Sequence, residues 1–193
     1  MAKRTYKTTL GAIPKIVDNF KPKTSNQNIF YNIIGEEDTQ LVLCHGIAGT
    51  GKTYVSIYRA LQDVLRRGTP YNKLIIINPT VDVGNEDKLG FLPGELSSKI
   101  QQYNESTFTI LDKIIGKARA TKMISDGKLE IGVLNFLRGV NLENCYVILD
   151  EAQNVSPMQI KTLMTRISEN CKMIIQGDMS QCDKFKANGV TAY

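Results

Sequence analysis

The sequence predicts an α/β domain whose mostly parallel β-sheet is flanked by helices on both faces. Five short apolar runs, each bounded by turn residues, have the composition of strands that are buried on both sides. Helical patterns alternate with these runs, and a glycine-rich segment follows the first of them. Strand–helix alternation of this kind is typical of doubly wound layered folds.

The predicted elements follow one another without an interruption that would divide the chain. The five strands are expected at 41–44, 74–77, 129–134, 145–149 and 173–175. Helices are expected at 52–67, at 107–125 and from Pro157 onward, with Ser156 as the N-cap of the last one. A length of 193 residues suits one domain with a full hydrophobic core.

Composition excludes several classes of protein. Hydrophobic residues make up 42% of the chain and charged residues 22%, which argues against wholesale disorder. No apolar run reaches the roughly 18 residues of a membrane span, and the N-terminus lacks the apolar stretch of a secretory signal. The four cysteines form no C-x-x-C pair: Cys44, Cys145, Cys171 and Cys182. We therefore expect buried thiols, a cytoplasmic location and no membrane partner.

The net charge of +5 is carried by the start of the chain. Residues 1–23 contain six lysines and arginines and one acidic residue, Asp18, whereas residues 24–193 are neutral overall. We therefore predict a basic N-terminal arm over 1–23 and a single domain over 24–193. Such an arm can add salt-sensitive affinity for phosphate backbones. The alternative is a solvated extension that keeps the chain soluble.

The strongest chemical signal is the segment Gly46-Ile47-Ala48-Gly49-Thr50-Gly51-Lys52-Thr53. It matches the pattern G-x-x-x-x-G-K-[ST] and lies between a predicted strand and a predicted helix, which is the context that this pattern requires. The glycines let backbone N–H groups wrap a β-phosphate, Lys52 can reach the β- and γ-oxygens, and Thr53 can join Mg²⁺ coordination. We therefore predict a P-loop NTPase whose nucleotide-binding residues extend from Gly46 to Tyr54.

Two adjacent carboxylates follow the fourth predicted strand. Asp150 and Glu151 come directly after the apolar run 146–149, where the acidic partner of a phosphate loop is expected. Asp150 would hold Mg²⁺ through a water, and Glu151 would polarise a water for in-line attack on the γ-phosphate. A solvated turn at the end of a strand is the alternative, which the phosphate loop makes less favoured. The second acid indicates a hydrolytic enzyme.

Two further segments carry weaker signals. The stretch 176–181 follows the fifth predicted strand, and within it Asp178 and Gln181 are candidates to sense the γ-phosphate. Taken alone, this stretch is more simply interpreted as a surface turn. Asn26 and Gln27 contain amides that could pair with the edge of an adenine base, and this signal is very weak by itself.

Together these motifs resemble those of a known family. The phosphate loop, the run Asp150-Glu151-Ala152-Gln153 and the run 177–181 occur in the order of superfamily 1 helicase motor cores. The segments 78–81, 88–94 and Phe136-Leu137-Arg138-Gly139 are similar to segments of the PhoH-like ATPase family. The resemblance covers about residues 20 to 190 and depends on five separate motifs. The small size is similar to that of a phage member, for which the host cytoplasm is the expected location.

The resemblance implies a RecA-like ATPase core that binds ATP and Mg²⁺. By this likeness Gln27 is the amide that recognises adenine, and Lys52 and Thr53 are the phosphate and metal residues. Asp150 then belongs to the metal site, Glu151 is the catalytic acid, and Gln181 senses the γ-phosphate. The family often forms rings, so a homo-oligomer is expected, with a hexamer as the leading candidate.

An arginine that acts across a subunit boundary is a further implication of the resemblance. Arg138 is the candidate for this arginine finger or for a nucleic-acid contact, and Arg166 is the other candidate for the finger. Related sequences tend to have a second basic residue directly after the Arg-Gly pair, whereas Val140 stands here.

The leading hypothesis is an Mg²⁺-dependent ATPase that remodels single-stranded RNA or DNA, as a helicase or translocase does. A nucleotide-gated assembly subunit with slow hydrolysis is an alternative that the sequence separates poorly from the first. A nucleoside kinase is less favoured, because thymidine kinases share the phosphate loop and the Asp-Glu-Ala-Gln run but usually add a four-cysteine zinc ribbon. Only Cys171 and Cys182 follow that run here. Aromatic residues are sparse at 7%, so no base-stacking platform is evident.

Overall fold

A single parallel sheet forms the centre of the protein. The computed structural model describes residues 16–79, 104–132 and 141–181. The strands are β1 (Leu41–His45), β2 (Lys73–Ile77), β3 (Leu129–Gly132), β4 (Cys145–Leu149) and β5 (Lys172–Gly177). Their order across the sheet is β1-β5-β4-β2-β3, and each neighbouring pair runs parallel. The predicted α/β class with a parallel sheet is therefore confirmed.

Helices cover both faces of this sheet. Within the described ranges they are α1 (Ser25–Gly35), α2 (Lys52–Leu65), α3 (Glu105–Ile115), α4 (Lys117–Ser125) and α5 (Pro157–Met164). Helices α1 to α4 share one hydrophobic cluster with the sheet, and α5 packs into a second cluster on the opposite face. Short 3₁₀ turns follow β4 at Ala152–Asn154 and β5 at Met179–Gln181. None of the described helices is long and apolar enough to span a membrane.

The two clusters explain the continuous apolar runs in the sequence. Successive side chains of a strand point to opposite faces, so Ile148 joins the cluster under α2 while Val147 and Leu149 join the cluster under α5. All residues of β4 and β5 are buried. β1 lies at an edge of the sheet and is therefore less buried than β4 and β5, and the side chain of Leu43 is 55% exposed.

One predicted helix is divided in the structure, the predicted helix 52–67 ends earlier at Leu65, and one helix was not predicted. The expected helix 107–125 is divided into α3 and α4 at Gly116, whose φ of +82° is favourable only for glycine. Asn26 and Gln27 lie in the first turn of α1, a helix that the sequence analysis did not assign. Ser156 caps α5 as predicted, and it forms a capping box with Gln159. The expected third strand extends to residue 134, beyond the described end of β3.

The described part of the predicted arm contacts the domain. The backbone N–H of Val17 donates to Ile114 O at 2.9 Å, and the ring of Phe20 lies 5.2 Å from that of Tyr54. The Tyr54 hydroxyl donates to the carboxylate of Asp18. Residues 1–15 lie outside the described part of the chain, so the domain boundary after residue 23 stays a prediction.

Two of the four thiols are fully enclosed by the second cluster. Cys145 and Cys171 are buried, with their Sγ atoms 3.6 Å apart, and Cys44 is half-buried. Cys182 lies outside the described residues. Cys145 and Cys171 are therefore buried thiols as the sequence predicted, whereas Cys44 is buried only in part.

Candidate functional site

The phosphate-loop segment joins β1 to α2 at the carboxyl edge of the sheet. Gly49 and Gly51 have φ angles of +77° and +86°, a left-handed backbone that glycine adopts without strain. A Cβ atom at Gly51 would also lie only 3.2 Å from Gln27 Nε2. Gly51 directly precedes α2, whose first-turn N–H groups have no acceptors within the helix. The segment therefore has the geometry of an anion site at a helix N-terminus.

Lys52 lies over the loop that it follows. Its Nζ donates to Gly46 O at 2.6 Å and to Ile47 O at 3.0 Å. Thr50 Oγ1 also donates to Ile47 O, at 2.8 Å, and this bond stabilises the turn over residues 47–50. An ammonium group in this position can bind the oxygens of a triphosphate that enters the loop.

Thr53 and Asp150 are in direct contact although they are 97 positions apart. Thr53 Oγ1 donates to Asp150 Oδ2 at 2.8 Å. Asp150 follows β4, where its backbone N–H donates to Ile77 O at 3.0 Å, and the residue is buried. The structure thus brings together the two residues that the sequence analysis assigned to the metal.

Gln176 completes this group and was missed by the sequence analysis. Its Nε2 lies 2.9 Å from Asp150 Oδ1 and 3.3 Å from Thr53 Oγ1. The side chain is fully buried, and its Oε1 has no hydrogen-bond partner among the described residues. The amide therefore links the phosphate-loop threonine to the acidic residue of the neighbouring strand.

Glu151 is exposed and is oriented by Gln153, a second residue that the sequence analysis left without a role. Glu151 has φ +48° and ψ +41°, which is unusual for a residue with a side chain. Gln153 Nε2 donates to Glu151 Oε2 at 2.5 Å, and Gln153 Oε1 accepts from the backbone N–H of Asp178 at 3.0 Å. The glutamate is thereby attached to the end of β5.

Asp178 binds the phosphate loop from the turn after β5. Its Oδ2 accepts from the Ala48 N–H at 2.7 Å, and its Oδ1 accepts from the N–H and the hydroxyl of Ser180 at 2.9 and 2.6 Å. These donors, the Ser180 hydroxyl first, hold the pKa of Asp178 below its ordinary value. Gln181 lies exposed on the adjoining 3₁₀ turn, and its role as γ-phosphate sensor stays a prediction.

Gln27 lies beside the loop, and its role in recognising adenine stays a prediction. Its Nε2 donates to Thr50 O at 2.9 Å, and its Oε1 accepts from the Lys23 N–H at 2.8 Å. Both ends of the amide therefore contact protein groups. Tyr54 is half-buried, and its hydroxyl contacts Asp18 in the segment before α1.

Only one of the two candidate arginine fingers lies in the part of the chain that the structure describes. Arg138 lies within 133–140, outside the described residues. Arg166 is half-buried after α5, where its carbonyl oxygen accepts from the Leu142 N–H at 3.1 Å. Both assignments stay predictions.

The side-chain oxygen atoms of Thr53, Asp150 and Gln176 fit a hydrated Mg²⁺ ion. A threonine hydroxyl and an aspartate carboxylate are the hard oxygen ligands that Mg²⁺ prefers, and Gln176 Oε1 is a buried acceptor that a metal-bound water would satisfy. In phosphate sites Mg²⁺ keeps several waters and takes only one or two protein ligands. The described ranges accordingly need no larger ligand cluster, and they contain no group of three His, Cys, Asp or Glu residues suited to a metal.

The glycine loop between strand and helix, together with the parallel sheet, defines a P-loop NTPase fold. The chain belongs to the PhoH-like protein family, whose sequence model matches residues 19–192. It is 38% identical over 165 residues to a PhoH-like protein of Bacillus subtilis (strain 168), a match that covers 86% of this chain and 50% of that protein. It is 35% identical over 149 residues to Protein PhoH of Escherichia coli (strain K12), with 76% and 41% covered. The family resemblance drawn from the motifs is confirmed.

The chain spans about half the length of the curated relatives that it matches. Among solved structures it is similar to the large terminase of a thermophilic bacteriophage, with a TM-score of 0.51 and 12% identity. That match covers 81% of this chain and 39% of the terminase chain. At this identity the likeness shows the fold alone. Family and fold together place the chain among domains of the P-loop NTPase fold.

Proposed function

We propose that this chain is an Mg²⁺-dependent ATP hydrolase. The observation that carries the proposal is the 2.8 Å contact between Thr53 and Asp150 at the start of α2, directly after the glycine loop. A threonine hydroxyl paired with an acid from another strand is the arrangement that P-loop NTPases use for their metal. When bound, Mg²⁺ neutralises charge that develops on the β- and γ-phosphate oxygens.

The chain's own groups bind the triphosphate and orient it. Backbone N–H groups of the loop and of the first turn of α2 donate to the phosphate oxygens, and Lys52 adds a positive charge. Asp178 keeps the loop in shape through its bond to the Ala48 N–H. Holding the γ-phosphate in one position lowers the entropic part of the barrier before any bond is broken.

Glu151 is the proposed general base. The hydrogen bond from Gln153 fixes one oxygen of the carboxylate, so the other oxygen is free to accept a proton from the attacking water. Water then forms the new bond to the γ-phosphorus while the bond to the β-phosphate oxygen breaks. Gln153 acts as a positioning residue because it contacts Glu151 and the end of β5 together.

We further propose that hydrolysis is coupled to binding or remodelling of single-stranded RNA or DNA. Two features support this coupling: the similarity of the motifs to superfamily 1 helicase cores, and the six basic residues within 1–23. Phosphate backbones bind basic segments without regard to base sequence, and this binding weakens steeply with salt. A homo-oligomeric ring in the cytoplasm completes the proposal.

The test is the ATPase rate of the wild type and of Lys52→Ala, with and without single-stranded RNA and DNA at low and high salt. We expect Lys52→Ala to lose at least about a hundredfold in turnover, which is the scale of losing a transition-state donor. Lys122→Ala is the matched control, because this lysine is exposed on α4 and pairs only with Asp126 among the described ion pairs. Wild-type hydrolysis in Lys52→Ala would remove the phosphate-loop assignment.

The same assay separates the alternatives. Stimulation by either nucleic acid supports a motor, whereas hydrolysis that ignores both supports an assembly subunit. Transfer of phosphate to a nucleoside supports a kinase.

The shared-site role of Arg138 requires mixed oligomers. If Arg138 acts across a subunit boundary, mixing Arg138→Ala with Lys52→Ala subunits should restore part of the activity. Mixing Arg166→Ala with Lys52→Ala subunits tests the other candidate in the same way. No restoration in mixed oligomers that are shown to form argues against the shared site.

A further inference from the structure

We infer that Gln176 is a positioning residue of the metal site: its amide orients Thr53 and Asp150, and its carbonyl oxygen accepts a hydrogen bond from a water on the cation. This inference rests on the proposed function, because it requires Mg²⁺ with ATP at the loop. It concerns a residue of this chain that the recognised motifs do not include.

Strand register brings Gln176 to the site. Leu149 on β4 pairs with Ile175 on β5, so the next residues, Asp150 and Gln176, lie side by side at the carboxyl edge. Side chains alternate along a strand, so Gln176 lies on the same face of β5 as Ile174, which packs in the cluster under α2. Thr53 is the second residue of α2 and faces the same place.

The hydrogen bonds fix which way the amide points. Asp150 Oδ1 already accepts from the Glu151 N–H, and an amide donates only through its nitrogen, so the group 2.9 Å from this acceptor is the amide nitrogen of Gln176. Thr53 Oγ1 donates its hydrogen bond to Asp150 Oδ2, and its lone pairs can accept a hydrogen bond from Gln176 Nε2 at 3.3 Å. The amide oxygen is therefore the end of Gln176 without a protein partner in the described structure.

A buried carbonyl oxygen without a donor is unfavourable, and native structures contain few. Leucine or methionine would fill a similar volume at this position without that penalty. Ile174 and Ile175, the two residues before Gln176, are apolar and pack in the two clusters. The other buried polar side chain of β5, Lys172, differs because its ammonium group has a protein acceptor, Ile34 O at 2.8 Å. A polar side chain at full burial beside Thr53 and Asp150 is thus best explained by a donor that arrives with the ligand. Water in the hydration shell of Mg²⁺ is such a donor.

The contact also restrains the carboxylate. Asp150 Oδ1 accepts from the Glu151 N–H at 3.0 Å as well as from Gln176, while Oδ2 accepts from Thr53. Three donors hold the carboxylate in one orientation before the cation arrives. Groups that orient metal ligands in this way typically contribute about 10- to 100-fold in metal affinity.

The experiment measures binding of a fluorescent ATP analogue at graded free Mg²⁺ and, separately, in the presence of EDTA. For Gln176→Leu we expect the half-saturating Mg²⁺ concentration to rise by about tenfold or more. Binding of the metal-free analogue should change by less than about twofold, since the loop and Lys52 are untouched. This split distinguishes a metal-positioning role from a merely structural one, which would weaken both.

Two variants guard the interpretation. Ile175→Val removes one methyl group from the adjacent buried residue on the opposite face of β5, and it should leave the Mg²⁺ dependence unchanged. Gln176→Asn keeps an amide on a shorter side chain and replaces Gln176→Leu as the test if that variant does not fold. We expect it to raise the Mg²⁺ requirement by a smaller factor than the rise expected for Gln176→Leu. Thermal melting of each variant without nucleotide establishes that it is folded.

The outcomes separate the two proposals. If the wild type binds the analogue with Mg²⁺ and neither Gln176 variant changes the Mg²⁺ requirement, the inference about Gln176 is overturned and the proposed function stands. An equal loss of binding with and without Mg²⁺ likewise overturns it. If the wild type itself binds no nucleotide under any condition, the proposed function fails and this inference fails with it.

Discussion

The backbone N–H of Ala48 donates to Asp178 Oδ2 at 2.7 Å, although the two residues are 130 positions apart. This bond joins the exposed phosphate loop to the buried end of the sheet. The other oxygen of the same carboxylate accepts from Ser180. One side chain therefore holds both the loop and the turn after β5, and its ionisation state matters to both.

The free energy of unfolding should depend on pH through Asp178. The pKa of this carboxyl is lowered in the folded protein from an ordinary value of 3.8, so the unfolded chain takes up the proton first as the pH falls. Its stabilisation is complete above that value and is lost as the pH falls through the folded-state pKa. Asp178→Asn should therefore destabilise most near neutral pH, and the difference from wild type should shrink in acid.

Urea unfolding of both proteins between about pH 3 and 7 measures this difference. Asp126→Asn is the control, because Asp126 is an exposed partner of Lys122 and such surface pairs contribute about 0–1 kcal/mol. A difference for Asp178→Asn that stays constant over the whole range contradicts the prediction.

Gly177 should tolerate no side chain. A Cβ atom there would lie 2.6 Å from Gln153 Oε1 and 3.3 Å from the Ala152 nitrogen. We expect Gly177→Ala to lower the free energy of unfolding by about 1–3 kcal/mol, as overpacking does, and to reduce turnover by displacing Gln153 from Glu151. Gly46→Ala is the stability control, since its Cβ atom would meet nothing closer than 3.7 Å.

A double-mutant cycle tests the mechanism of that loss. Shortening Gln153 to alanine removes the nearest of the clashing atoms, so Gly177→Ala should cost less in the Gln153→Ala background. If the cost is the same in both backgrounds, the clash with Gln153 is not its cause.

Glu151→Gln should retain ATP and stop its hydrolysis. The amide keeps the shape of the side chain but cannot accept the proton of the attacking water, so we expect turnover to fall by about 10²- to 10⁴-fold. Binding of a fluorescent ATP analogue should stay within about threefold of wild type. Glu143→Gln, at an exposed position before β4, is the control and should change neither quantity. Loss of binding in Glu151→Gln would refute the role of general base.

Tyr54→Phe should loosen the segment before α1. Burial, and then the hydrogen bond to Asp18, raise the pKa of the Tyr54 phenol, so it remains a donor at neutral pH. Without this bond we expect a loss of about 0.5–1.5 kcal/mol and faster hydrogen exchange at the amides of Val17 and Asp18, which donate to Ile114 O.

Hydrogen-exchange mass spectrometry of residues 16–20 measures this effect. Tyr58→Phe is the matched control, because its hydroxyl makes a longer bond of 3.3 Å to the Asp18 carbonyl. A larger effect from Tyr58→Phe than from Tyr54→Phe would contradict the assignment.

The chemistry that is encoded locally could be predicted from the sequence. The spacing of Gly46, Gly51 and Lys52 allows only a few backbone arrangements, so the phosphate loop follows from the motif. Asp150 could be paired with Thr53 because a phosphate loop needs an acidic partner at the end of a buried strand. Both inferences required the type of each element but not the order of the strands.

Gln176 could not be found in this way, because its role depends on that order. An amide at the end of β5 contacts Asp150 only if β5 lies next to β4, and nothing local in either strand specifies this neighbour. A usable signal existed in the polar residue that ends an otherwise apolar run. Helix α1 was missed for a different reason. Only Phe30 and Ile34 are buried in it, so the apolar pattern that indicates a helix is short.

Because Glu151 has a left-handed backbone, stability and ATP turnover should favour different residues at this position. That conformation costs a residue with a side chain about 1–2 kcal/mol, whereas glycine adopts it freely. In a library randomised at codon 151, enrichment for folded protein alone should therefore favour Glu151→Gly, while enrichment for ATP turnover should retain the acid. Comparing the two enrichments would then measure how much thermodynamic stability the chain gives up in order to hold the proposed base in place.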